Sequence, residues 1–193
     1  GAGAIGFAFF VWNGQNTTNS DLKSDIDDLT AAFNNLTAEF NDLTRTIVVG
    51  EWNMLDDNYD YGPHNLTNDW LYDFGSNNLS NTDYIAVSNT NTRITLLKPG
   101  WYRIHLSVLL YFISPNFLYK TQILKDGAIE FALDRLVTGS TVDSYWHNFD
   151  SSAFVYSDGT NYIELNGYSN GDDNFEPYAS SDYLQLTIEY VAI

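Results

Sequence analysis

Residues Thr92–Phe112 read TRITLLKPGWYRIHLSVLLYF. After Gly100 the run alternates strictly. Tyr102, Ile104, Leu106, Val108, Leu110 and Phe112 fall on one side, and Trp101, Arg103, His105, Ser107, Leu109 and Tyr111 on the other. A period of two over that length is a β-strand, because successive side chains of an extended chain point to opposite faces. The first set is a core face. The second is too aromatic for a solvated face and suits contact with sister subunits. Pro99-Gly100 punctuates between this strand and the alternating Thr92–Leu97 before it. An apolar sheet face must be buried against a second layer, so a sandwich is expected.

Working outward, further strands are expected at Trp70–Phe74, Tyr84–Ser88, Tyr119–Lys125, Ala128–Leu133, Ser152–Tyr156, Tyr162–Tyr168 and Tyr183–Val191. Asp126-Gly127 and Asp158-Gly159 mark turns between them. In the last strand Leu184, Leu186, Ile188 and Tyr190 face one way, with Gln185, Thr187 and Glu189 on the other. Short antiparallel strands with this punctuation, and no convincing helix among them, predict a mainly β fold, an antiparallel jelly-roll β-sandwich. The expected oligomer interface of this head is Trp101, Arg103, His105, Leu109, Tyr111 and Glu189, with His105 placed to face Glu189.

Upstream the period changes. Ile26–Thr46 reads as three seven-residue units, IDDLTAA, FNNLTAE and FNDLTRT. With the flanking residues, the apolar set is Leu22, Ile26, Leu29, Phe33, Leu36, Phe40, Leu43 and Ile47, spaced alternately by four and three. That is a heptad seam, with Ile26, Phe33, Phe40 and Ile47 at a and the leucines at d. A stripe so narrow is not one a lone helix buries, so copies of the chain are expected to assemble through it. Ile at a with Leu at d suits dimers, whereas phenyl rings at two a positions fit better in the wider core of three strands. The helix is expected from about Asp21 to Ile47, capped by Asn19 or Ser20, with Asp21 favoured by the helix dipole and Gly50 ending it. Asn13–Ser20 (NGQNTTNS) reads as a polar linker.

The first dozen residues are GAGAIGFAFFVW. Gly1, Gly3 and Gly6 spell G-x-G-x-x-G, but without a preceding strand or a following βαβ unit they do not make a dinucleotide loop. Twelve apolar residues are too few to span a bilayer, which takes about twenty, and the basic region of a signal peptide is missing. Ile5, Phe7, Phe9 and Val11 alternate with smaller residues, as in a strand donated to a neighbour's sheet edge. A Gly/Ala/Phe-rich terminus ahead of a heptad helix also resembles the fusion peptide of class I viral fusion proteins. The plainest reading is an anchoring arm. Each of these implies a partner for the apolar surface: a capsid, a membrane or a neighbouring subunit.

The formal net charge is −17, with only eight Lys and Arg. Phosphate neutralisation needs a basic patch, so no nucleic-acid partner is expected. The chain has no cysteine, which rules out internal disulfides and thiolate metal sites. N-x-S/T sequons at Asn16, Asn35, Asn65 and Asn78 are what chance gives in a chain this rich in Asn, Ser and Thr. His64, His105 and His147 are isolated, and neither G-x-S-x-G nor H-E-x-x-H occurs. No nucleophile–base pair or paired carboxylates stand out, so the chain is not expected to be an enzyme. Asp56-Asp57-Asn58-Tyr59-Asp60-Tyr61-Gly62 echoes the start of a calcium loop, with its Gly one place late and Thr67 where Glu belongs. Asp172, Asp173 and Glu176, with Asn174, form a second acidic loop, and calcium is the one cofactor these leave open.

Thr92–Phe112 resembles the C1q/TNF-like jelly roll, in which a strand, a Pro-Gly or Gly turn and a G-x-Y-x-I/F strand lead into the core. KTQILKDGAIE is similar to that family's "l-k-N-G" hairpin, and SSAFVYSDGTNYIELNGYS and SSDYLQLTIEYVAI are similar to its closing strands. The resemblance covers about Ile85 to Ile193. It departs in lacking a collagen-like stalk and in the Asn/Asp-rich Asp56–Asn81. It implies a compact homotrimer with both ends of the head near the stalk.

The expected organisation is an apolar arm and polar linker at 1–19, a trimeric coiled-coil stalk at 20–49, and a C1q/TNF-like jelly-roll head at 50–193. The expected function is a homotrimeric spike or fibre on the surface of a virion or cell, extracellular, attaching or assembling through its head, with an unknown receptor or glycan as partner. A pilus-like filament subunit that donates its N-terminal strand, and a soluble C1q/TNF-like ligand or carbohydrate binder, are the alternatives.

Overall fold

A single long helix leads the chain. The computed structural model describes residues 2–43, 46–53, 69–74, 79–88, 91–141, 146–178 and 182–191, with the side chains of the first segment described over 18–40. Helix α1 spans Ala2–Leu43. Ile5, Phe7, Phe9 and Val11, which the donated-strand reading needs extended, therefore lie on helical backbone, and Asn13–Ser20 is helix rather than linker, with Asn19 and Ser20 inside it rather than capping it. Extending a helix that has already nucleated gains a hydrogen bond for each residue fixed. Ala2, Ala4 and Ala8 favour that extension and no proline interrupts it. Among the described residues no helix is long and apolar enough to cross a membrane.

The helix also ends earlier than the heptads imply. Ile47, expected at the last a position, is instead the second residue of β1 (Thr46–Asn53), where it pairs with Tyr190. Three β-branched residues in a row, Ile47, Val48 and Val49, fit a pleated strand better than a helix once a partner strand is present. The chain accordingly divides into two compact units, Gly1–Arg45 and Thr46–Ile193.

The second unit holds twelve strands among its described residues: β1, β2 (Asp69–Leu71), β3 (Leu79–Ser80), β4 (Ile85–Ser88), β5 (Arg93–Leu96), β6 (Pro99–Tyr111), β7 (Leu118–Lys125), β8 (Ala128–Val137), β9 (His147–Asp158), β10 (Tyr162–Ser169), β11 (Glu176–Pro177) and β12 (Leu184–Val191). Each stretch expected from alternation holds a strand, but β2 stops at Leu71, short of Phe74, and β6 stops at Tyr111. Phe112, expected on the core face, takes a positive φ of 58° that breaks the alternation and leaves it exposed. β1, β3 and β11 were not legible: the first continues a helical pattern and the other two are only two residues long. The acidic stretch Asp56–Gly62, Thr67, His64 and the sequons at Asn65 and Asn78 lie outside the described residues.

Pairing among the longer strands is nested. β1 pairs with β12, β5 with β10, β6 with β9, and β7 with β8, all antiparallel. The chain thus forms one long ribbon folded upon itself, and β6–β12 and β10–β7 pairing stitches it into two sheets. One sheet runs β11-β6-β12-β1-β3 with β9 on the other edge of β6; the second runs β4-β5-β10-β7-β8 with β2 beside β10. This is the jelly-roll arrangement. Asp126 (φ 50°) and Gly127 (φ 80°) make the two-residue turn between β7 and β8, where both central residues must take positive φ.

Between the sheets lies one core. From the β6 sheet it takes Trp52, Tyr102, Ile104, Leu106, Val108, Leu110, Val155, Leu186 and Ile188, and from the other Ile85, Ile94, Leu96, Tyr119, Ile123, Ile163 and Leu165. Trp52 is fully buried, meets Phe74 edge-on at 5.3 Å, and its Nε1–H donates to the Phe74 carbonyl at 3.2 Å. Tyr102 is also buried. Its hydroxyl accepts from the Lys98 N–H at 3.1 Å and donates to the Lys98 carbonyl at 3.1 Å.

Two consequences are measurable. Gly167 sits between Trp70 and Thr121 in β10, and a Cβ there would collide with the Trp70 indole. Gly167→Ala is expected to cost about 1–3 kcal/mol of unfolding free energy, read by urea denaturation. Burial pushes the Tyr102 hydroxyl from 10.0 up to about 12, so the unfolded chain loses that proton first. The stability carried by neutral Tyr102 is therefore complete below pH 10 and is lost as pH rises towards 12. Tyr102→Phe should flatten the alkaline fall in stability across that window, measured by urea titrations at stepped pH.

Candidate self-assembly interface

Only one face of the β6 sheet is used by the core. The register places the outward residues of four strands in rows. Tyr156, Trp101, Val191 and Thr46 form the first, at the end where the chain enters β1. Phe154, Arg103, Glu189 and Val48 form the next, followed by Ser152, His105, Thr187 and Glu51. The expected interface residues Trp101, Arg103, His105, Leu109 and Tyr111 do share this face, because they alternate with the buried set of β6. Glu189 joins them from β12.

At the chain-entry end the surface is aromatic. Trp101 is 46% exposed and Phe154 57%, and Trp101 meets Tyr156 edge-on at 5.5 Å. A polar belt follows. Arg103 Nε donates to Glu189 Oε2 at 2.7 Å, and this bond is what raises the guanidinium's pKa. His105 does not face Glu189 as expected. It pairs in register with Thr187, one row away, and its Nε2 lies 2.6 Å from Asp150 Oδ1 of β9. Residues two apart on a strand share a face but not a row, and sequence alone did not fix the row.

Beyond the belt the face turns aromatic again. The Tyr111 ring centroid lies 4.7 Å from Trp146 and 5.8 Å from Tyr178, with Phe112 stacked beside it and Tyr183 against Tyr178 at 5.7 Å. Leu109 is half-buried, and its N–H and carbonyl bond Tyr183 and Tyr178. Phe154, Tyr156, Trp146 and Tyr178 were missed by sequence reasoning. Phe154 and Tyr156 sit in an expected strand, but only strand pairing lays that strand beside β6.

The helix presents a second surface of the same kind. Leu22, Ile26, Leu29, Phe33, Leu36 and Phe40 are 55–72% exposed. Leu43 lies in the helix at the next d position. The side chains of Ile5, Phe7, Phe9 and Val11 lie outside the described ones.

In the second acidic loop the residues read as calcium ligands are placed differently from one another. Asp172 is buried, and its carboxylate is used by the protein: Oδ2 accepts from the Tyr119 hydroxyl and from the Ser114 N–H at 3.1 Å, and Oδ1 from the Asn174 N–H at 3.1 Å. Burial, and then this bond to Asp172, push the Tyr119 hydroxyl's pKa well up. Asp173 is exposed, and Glu176, in β11, pairs with Tyr111 of β6. Among the described residues no group of three or more His, Asp or Glu could hold a metal ion. Asp172 ties the Ser114 loop to the 169–174 loop.

The fold and the two surfaces define a jelly-roll domain carried behind a heptad helix. No family model matches the chain, and no curated protein matches it either. Solved structures do. The chain is similar to murine APRIL, at 11% identity and a TM-score of 0.49, covering 76% of this chain and 99% of that one. It is similar to the Eiger TNF of S. frugiperda, at 9% identity and a TM-score of 0.47, covering 77% and 94%. Rabbit GITRL is similar at 19% identity and a TM-score of 0.34, covering 55% and 75%.

Phe154 tests whether the outward face is used. Because it is exposed, Phe154→Ser is expected to leave the unfolding free energy of the head within about 0.5 kcal/mol. Self-association should weaken by about tenfold or more, read by sedimentation equilibrium.

Proposed function

We propose that this chain is a homotrimeric surface spike or fibre. In this reading α1 is the stalk, the N-terminal apolar stretch is the anchor, and the jelly-roll head attaches or assembles at a virion or cell surface. The observation that carries the reading is the seam of α1, where six large apolar side chains in unbroken heptad spacing are more than half exposed. Such a stripe is stable in water only when other helices cover it. The outward face of the β6 sheet supports it independently, since its aromatic ends and ion-paired belt have the composition of an interface. Three copies suit Phe33 and Phe40 at a positions, where a wider core accommodates the rings.

The protein acts in this reading by binding, with a receptor or glycan met by the head and a capsid, membrane or neighbouring subunit met by the N-terminal stretch. The filament reading has less support, because residues 5–11 are helical where it needs an extended donor strand.

Removing residues 1–12 separates the readings. A spike without them is expected to remain a trimer by sedimentation and to lose only its retention on the particle or cell. Loss of polymerisation would instead identify a filament subunit, and unchanged behaviour a soluble ligand.

A further inference from the structure

Residues 13–20 read as a break between arm and stalk, yet α1 crosses them without interruption. A helix without interruption keeps its phase. Counting back by sevens from Ile26 reaches Asn19, then Trp12 and Ile5; counting back from Leu22 reaches Gln15 and Ala8. The apolar pattern therefore resumes at a positions on the far side of the polar turn. Asn19 is the polar member of an otherwise apolar a series.

We propose that the seam through which copies of this chain associate runs through residues 13–20, with Asn19 as a polar layer that sets a parallel, in-register alignment. This rests on the self-association argued above and adds where it extends and what fixes it. An amide in an apolar seam is satisfied when the facing residue is its own counterpart. A slip of one heptad sets Asn19 against Ile26 and leaves it unpaired, so one alignment is selected.

The charges flanking the seam select the same direction. Position g carries Asp25, Ala32 and Glu39, and position e carries Lys23, Thr30 and Thr37. Parallel helices set g against the following e of the neighbour, which brings Asp25 to Thr30 and Ala32 to Thr37 without opposing like charges. Antiparallel helices set g against g and would bring Asp25 to Glu39. Thr30 and Thr37 donate their hydroxyls to the carbonyls of Ile26 and Phe33 at 2.7 and 2.8 Å, so they border the seam with their polar groups already satisfied.

The chain has no cysteine, so one introduced thiol reports on itself alone. Asn19→Cys, Leu29→Cys and Ala31→Cys are made singly in the full chain and oxidised under mild conditions at low concentration. Asn19→Cys and Leu29→Cys are expected to form disulfide-linked pairs at similar rates, and Ala31→Cys, on the outer face, at least about tenfold more slowly. Asn19→Ile, measured alongside, is expected to raise the melting temperature of the assembly while splitting one sedimenting species into several. Linkage of Leu29→Cys without Asn19→Cys would overturn the extended seam and leave self-association standing. A monomer in which neither links would overturn both. Ala31→Cys linking as fast as Asn19→Cys would show chance collision and also overturn the alignment.

Discussion

The structure of the head depends on β6 being paired on both edges while only one of its faces is buried. β9 lies along one side of it and β12 along the other. Pairing satisfies the backbone groups that a long, half-buried strand would otherwise leave to water or to another chain. The inward set from Tyr102 to Leu110 then has to be covered, and the second sheet covers it. Nothing in the same sheet covers the outward set, so an aromatic surface remains.

That asymmetry repeats in the helix. Both units leave an ordered apolar surface outside, one by sheet register and one by heptad spacing. Ion pairs decorate these surfaces without explaining them. Arg103 and Glu189 are solvent-accessible, and such pairs contribute little to stability of a monomer. In the proposed assembly, their place between two aromatic ends suits them to fixing how copies align. Buried polar groups have a different part. Asp172 and Tyr102 are held by neighbouring backbone and fasten loops to the sandwich.

How far the sequence could be read follows from the range of the forces involved. Alternation in Trp101–Tyr111 and in the closing strand is local, so the strands and their buried faces were legible; where the strand ends, at Phe112, was not. The turn at Asp126-Gly127 was legible because positive φ limits which residues serve there. What failed was the state of ambiguous segments. GAGAIGFAFFVW alternates like a strand, yet from Ala2 on it is continuous with the helix that follows it. Ile47 completes a heptad yet pairs with Tyr190, because a sheet edge was within reach.

The sequence by itself determined a heptad helix, a sandwich of alternating strands and a net charge of −17. Each depends on spacing or composition within short windows. Tertiary structure decided that β9 flanks β6, that Arg103 rather than His105 meets Glu189, and that Asp172 is bonded to Tyr119 and Ser114. These are contacts between residues 37 to 86 positions apart. Long-range pairing is chosen by the packing of whole faces, which no local pattern encodes.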